Sequence, residues 1–202
     1  MRTDLTPGDL SGRRFYQLLT SVVVPRPIAW VATTSAHGVD NLAPHSFFTI
    51  ACANPPIVQF TSVGRKDTLS NVEATREFVV NLTTEALWAE VNATGADFPP
   101  DVSEFDAVGL EREASARVRP PRVAGSPVAL ECRLHSTLPL GDSTVVFGEV
   151  VHAAVDTAAM DGDDLPGIGR LRPLSRLGRN EWATVGEVTP LDRISHTEWL
   201  RG

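Results

Sequence analysis

The stretch that decides the fold is Val128-Ala129-Leu130-Glu131-Cys132-Arg133-Leu134, followed by the turn Pro139-Leu140-Gly141-Asp142 and the run Thr144-Val145-Val146-Phe147-Gly148-Glu149-Val150-Val151-His152-Ala153-Ala154-Val155. Val128, Leu130, Cys132 and Leu134 alternate with Ala129, Glu131 and Arg133. That period of two places the apolar set on one face of a strand. A second β-rich run directly after a Gly-Asp turn makes the pair a hairpin.

Working outward, the remaining apolar runs are short and bounded by turn residues, the pattern of a barrel or sandwich with a few short helices. Ile28 to Thr34 reads as a strand, with Ser35-Ala36-His37-Gly38 as the turn after it. A strand from Val39 to Ala51 carries Pro44, which cannot donate to a ladder and therefore belongs at an edge or bulge. Ile57 to Ser62 follows the stiff Asn54-Pro55-Pro56 corner, and Phe78 to Leu82 is a further strand. Helical spacing appears at Ser11 to Thr20, at Thr68 to Arg76 with Asp67 as N-cap, and at Thr84 to Ala93. Asp97 to Asp106 reads as an irregular excursion, and the chain from Thr157 onward as an extended tail. No repeat or composition break divides the 202 residues, so one domain is expected, with its barrel core at about residues 20–156 and a tail over 157–202.

Composition narrows the function classes. Acidic residues outnumber basic ones 25 to 18, a net charge of −7, which disfavours duplex nucleic acid or an anionic membrane as partner. No apolar run approaches the ~20 residues of a membrane span, and the N-terminus lacks a signal-peptide core, so a cytoplasmic location is expected. Cys52 and Cys132 show no CxxC spacing; zinc and dithiol chemistry are not indicated, and both read as small buried hydrophobes.

Two local oddities carry the chemistry. Gly64-Arg65-Lys66-Asp67-Thr68 sets two cations, one of them the chain's single lysine, at the start of a helix. Unpaired N–H groups and the positive end of the helix dipole suit a phosphate there; an exposed basic turn is the plainer alternative. No GxxxxGK[ST] loop is present, and Gly167-Ile168-Gly169 does not complete a dinucleotide fingerprint. The second oddity is Asn41-Leu42-Ala43-Pro44-His45-Ser46-Phe47-Phe48-Thr49. A strand broken by proline leaves backbone donors and acceptors that could hold a flat heterocycle; a bulged edge without ligand is the alternative.

The ordered series Pro25-Arg26-Pro27-Ile28-Ala29-Trp30-Val31, Asn41 to Phe48, Asn54-Pro55-Pro56, Arg65-Lys66-Asp67-Thr68-Leu69, Glu77 to Leu82 and Gly148-Glu149-Val150-Val151 resembles the flavin reductase-like family, in its flavoredoxin-like branch. The resemblance implies a mainly β, six-stranded antiparallel Greek-key split barrel, a homodimer, and one FMN per subunit near the dimer interface. It places the flavin ring against Asn41, Ala43, Pro44, His45, Ser46 and Thr49. The phosphate goes to Ser62, Arg65, Lys66, Asp67 and Thr68. Trp30, on the neighbouring strand, is either a ring contact or a core residue. Ser143 stands where many relatives carry histidine, and Leu177-Gly178-Arg179-Asn180-Glu181-Trp182 replaces a Gly-Gly-x-x-Tyr-like stretch. His45 and Ser143 are the candidates for a catalytic role, and substrate choice is left open. The implied reaction is hydride transfer from NAD(P)H, a transient reductant, to flavin, with a partner monooxygenase as consumer. The alternatives are reduction or rearrangement of a private organic substrate, or a flavoredoxin-like electron carrier.

Overall fold

The computed structural model describes residues 1–201. Seven strands form one antiparallel sheet: β1 (Ala29–Thr34), β2 (Asp40–His45), β3 (Phe48–Cys52), β4 (Ile57–Val63), β5 (Glu77–Leu82), β6 (Val128–Leu140) and β7 (Ser143–Val155). Their spatial order is β2-β1-β5-β6-β7-β4-β3. β2 and β3 are consecutive in the chain yet occupy opposite edges, so the sheet must curl until its edges meet at Ser46-Phe47. There the Thr61 N–H donates to the Phe47 carbonyl at 2.9 Å, carrying the β3–β4 pairing up to the seam.

This accounts for the difference from the six strands expected. The Val39-to-Ala51 run is two strands rather than one, because the chain crosses the seam in its middle. Pro44 lies on the edge strand β2, where its missing donor leaves no ladder bond unmade.

The β6–β7 hairpin is much longer than its alternating segment suggested. Pro139 and Leu140 belong to β6, and the turn is Gly141-Asp142, with Gly141 at φ 60°. Gly148 is required for a different reason: a Cβ there would lie 2.2 Å from Cζ of Phe78. The absence of that atom, beside a register shift at Phe147/Gly148, lets the Phe78 ring press against the hairpin.

Alternation then sends side chains to two cores. Ala29, Val31, Phe60, Phe78, Val80, Cys132, Leu134 and Val146 fill the barrel, plugged by Leu69 and Val72 of helix α2 (Asp67–Thr75). Helix α1 (Gly12–Val22) precedes the barrel, with Ser11 as its N-cap. Trp30, Leu42, Val79, Val123 and Ala129 point the other way. They pack with Val91 of α3 (Trp88–Ala93) and Phe105 of α4 (Glu104–Val108).

Three further expectations are corrected. Asp67 is not the N-cap of α2. Lys66 holds that position in extended conformation without a capping side chain, and Asp67 is the first helical residue, where its charge meets the positive helix end. The Asp97-to-Asp106 excursion contains the start of α4, which ends on Gly109 at φ 71°. The tail is extended only in part. Ser175–Arg176 lies between Arg26–Pro27 and Trp182–Ala183 as a small sheet, and Leu174 is buried. Arg26 organises this clasp, donating to the Thr20 and Val23 carbonyls at the end of α1 and to the Leu177 carbonyl. Cys132 is buried, as expected, and burial pushes its thiol up; Cys52 is only half-buried. Among the described residues no helix is long and apolar enough to cross a membrane, and no cluster of His, Cys, Asp or Glu could hold a metal.

Candidate functional site

A cavity of about 370 Å³ opens where the seam of the barrel meets α2. That volume lies within the range of small-molecule and cofactor pockets. Both oddities of the sequence face it. One wall holds Ser62, Arg65, Lys66, Asp67 and Thr68; the other holds Asn41, Ala43, Pro44, His45, Ser46 and Phe47.

The first wall is built around the entry to α2. Gly64 at φ 73° turns the chain inward, and the Ser62 hydroxyl donates to the Gly64 carbonyl at 2.9 Å. The first intrahelical acceptor is the Lys66 carbonyl, which takes the Ser70 N–H at 3.0 Å. Without a capping side chain, the N–H groups of the first turn have no helical partner. Arg65 pairs with Glu73 at 2.7 Å and Lys66 with Asp97 at 2.9 Å, all four side chains being at least one-third exposed. Exposed pairs of this kind contribute little, so an incoming anion can displace them. Asn41 links the two walls by donating to the Thr68 hydroxyl at 3.1 Å.

His45 dominates the second wall. Its ring packs on Phe60 with centroids 4.7 Å apart, and the residue is buried. Burial lowers its pKa to about 4 against the opposing effect of a hydrogen bond to the Thr61 backbone, with the Lys66 charge helping. The imidazole is therefore neutral at pH 7. Its Nε2 is buried without a protein partner, a group that a ligand would satisfy.

The rest of the enclosure was not found from the sequence. Tyr16 of α1 reaches one rim, and Thr94, Gly95, Ala96, Asp97 and Phe98, which follow α3, close the space together with Glu104 at the start of α4. Glu104 is buried and accepts from the Leu42 N–H at 2.9 Å. The one readable signal was Thr94-Gly95 after a helical run, a stop that lets the chain turn closely over Pro44, whose Cγ would be 3.5 Å from a Cβ on Gly95.

Three sequence candidates stand outside the cavity. Trp30 is fully buried and donates from Nε1 to the Thr94 hydroxyl at 2.8 Å, so it meets the site only through Thr94. Thr49 is exposed on the edge strand β3. Ser143 sits at the hairpin tip and donates to Asp142 at 2.8 Å.

A curled antiparallel sheet closed at a two-residue seam, with its cavity against a helix entry, defines a split-barrel protein. Residues 21–168 match the model of the flavin reductase like domain, and the chain belongs to that family. It is similar to nitrilotriacetate monooxygenase component B from Bacillus cereus, with 32% identity, a TM-score of 0.91, and coverage of 95% of this chain and 99% of that one. Against 2-nitrobenzoate 2-nitroreductase of Pseudomonas fluorescens the identity is 29%, the TM-score 0.89 and the coverage 96% and 98%. The fold is also shared with flavoredoxin of Desulfovibrio vulgaris (21% identity, TM-score 0.81, coverage 95% and 97%).

Proposed function

We propose that the protein is an FMN-dependent oxidoreductase of the NAD(P)H:flavin reductase type, a single cytoplasmic domain that passes hydride from a reduced nicotinamide to flavin. The observation that carries this reading is the single cavity shared by the cation-bearing α2 entry and the proline-broken ribbon. Bound FMN would supply a ring that accepts two electrons in the form of one hydride. The chain's own residues then have to bind, orient and shield. Arg65, Lys66 and the free N–H groups of α2 suit the phosphate, with charge-assisted hydrogen bonds replacing the Glu73 and Asp97 pairs. The backbone from Ala43 to Ser46 lines the cavity and would offer donors to the ring where negative charge accumulates. Neutral His45 presents Nε2 without adding a charge. No nucleophile is required, and Ser143, bonded to its neighbour Asp142, takes none of these roles within one subunit.

A homodimer fits the edge strand β3, which is unpaired on its outer side and presents Ile50 at 76% exposure, and the exposed Leu138 and Leu140 of the hairpin. A partner monooxygenase is the consumer we favour, given the likeness to a monooxygenase component B. The likeness to a nitroreductase supports a second reading, direct reduction of a private organic substrate. Rapid NAD(P)H-driven reduction of free flavin favours the first; tight yellow protein without such turnover favours the second.

The direct test is a flavin titration of wild type and Lys66→Ala. Loss of a charge-assisted contact worth about 1.5–3 kcal/mol lowers FMN affinity about tenfold or more, while riboflavin, which lacks the phosphate, binds as before. Wild-type protein that stays colourless with added FMN ends the reading. Equal losses for both ligands would make Lys66 a folding residue instead.

A further inference from the structure

The position of Glu104 is not explained by an anion site. It is a third carboxylate in a cavity already lined by Asp67 and Asp97, and next to a phosphate it repels. Its place along β2 suggests what it faces instead. Asn41 is tied to α2 through Thr68, the Leu42 N–H is tied to Glu104, and the ring-facing ribbon begins at Ala43. Glu104 thus joins the cavity between the cation wall and the ribbon.

β2 is an edge strand, and Glu104 replaces the missing ladder partner of Leu42. That bond uses one of a carboxylate's four acceptor positions. The residue is buried, 5% exposed, and it lines the cavity. Burial, and after it the nearby Asp67 charge, raise its pKa, opposed by the Leu42 N–H and its own backbone N–H. A glutamine would hold Leu42 as well at lower desolvation cost, so satisfying the strand edge does not account for an acid here.

We infer that Glu104 is a ligand-binding residue that accepts hydrogen bonds from the hydroxyl groups of a polyol chain spanning the anion site and the ring site. This rests on the flavin reading, in which that chain is the ribityl group, and it assigns Glu104 to the middle of the ligand, as Lys66 is assigned to its phosphate end. A deep carboxylate rewards hydroxyl donors, while the exposed cations at the mouth take the anion.

The test compares FMN, riboflavin and lumiflavin, which lacks the ribityl chain, on wild type, Glu104→Gln and Glu104→Ala by fluorescence titration. Glu104→Ala should weaken FMN and riboflavin by the same factor, about tenfold, and Glu104→Gln by about threefold, with lumiflavin unchanged in both. Thermal unfolding of the ligand-free Gln variant should show stability equal to or above wild type, because a buried charge has been removed. Glu104→Gln that binds riboflavin like wild type, or a loss for lumiflavin matching that for riboflavin, overturns the inference while leaving the flavin reading intact. Wild type that binds none of the three overturns both.

Discussion

The two cores of this protein use opposite faces of the same strands and are held together by different chemistry. Inside the barrel, Val58, Phe60, Phe78, Cys132, Leu134 and Val146 meet as apolar surface, and packing alone specifies the arrangement. On the back of the sheet, Trp30, Val79, Phe105 and Val123 are threaded by buried polar ties. Asn81 accepts from the Val123 N–H at 2.9 Å and donates to the Trp30 carbonyl at 3.1 Å. Glu131, fully buried, accepts from the N–H groups of Ala116 and Arg117 at 2.8 and 2.5 Å and from Arg122 at 2.5 Å. A closed barrel satisfies its backbone through its own ladder. The segment 84–123 has only short helices and the two-residue pairing of Arg112–Glu113 with Arg122–Val123, so side chains from the sheet supply further partners. The cavity opens where the two cores meet, with His45 contributed by the first and Thr94 and Glu104 by the second.

The comparison is most exposed to removal of Glu131. Burial alone would push its pKa up; the Ala116 N–H, the Arg122 guanidinium and the Arg117 N–H together outweigh that and hold the carboxylate below its ordinary range. Glu131→Ala leaves two backbone N–H groups and two of the Arg122 donors without their acceptor, the guanidinium keeping only Glu113 at 2.7 Å. The expected cost is about 3–5 kcal/mol in urea unfolding, the range for breaking a buried ionic network from one side. A loss below about 1 kcal/mol would mean that the second core rests on apolar packing like the first.

His45 is next in size and probes the barrel side of the seam. Its folded pKa of about 4 lies below the ordinary 6.5 because burial disfavours the charged ring. The unfolded chain therefore takes up a proton from pH 6.5 downward, while the native state resists until about pH 4. Stability contributed by the neutral ring is complete above pH 6.5 and lost as the pH falls to about 4. At roughly 1.4 kcal/mol per pH unit, that window is worth about 3 kcal/mol. A pH series of urea midpoints on wild type and His45→Gln should show the extra acid sensitivity in wild type alone. Parallel curves would mean that water reaches the ring.

This division also explains what was legible in the sequence. Apolar alternation at Val128 to Leu134 and the break at Pro44 announce the barrel, because a strand's period and a missing N–H are local properties. The cation wall is legible for the same reason: Gly64 to Thr68 are adjacent in the chain. Glu131, by contrast, occupies a position that alternation assigns to a solvated face, and only the excursion folded over it makes that face interior. Its partners lie 14 and 15 residues away, and Glu104 meets Leu42 across a separation of 62. Pairings at such distances leave no periodic trace. The split of Val39 to Ala51 was hidden likewise, since the bend depends on where the opposite edge of the sheet arrives.

The smallest effect belongs to Thr94, at the point where the second core meets the cavity. Its hydroxyl accepts from the Trp30 indole at 2.8 Å and donates to the Val91 carbonyl at 3.2 Å. Thr94→Val keeps the volume but strands a buried N–H, a loss of about 1 kcal/mol if water from the cavity can partly replace the hydroxyl. Flavin affinity should not change, because the Thr94 hydroxyl in the cavity wall is committed to Trp30 and Val91 and valine keeps the volume there. A stability loss with unaltered riboflavin and lumiflavin binding places Trp30 wholly in the second core. A matching loss in lumiflavin affinity would place the ring within reach of Thr94 itself and move the boundary between core and site one residue deeper.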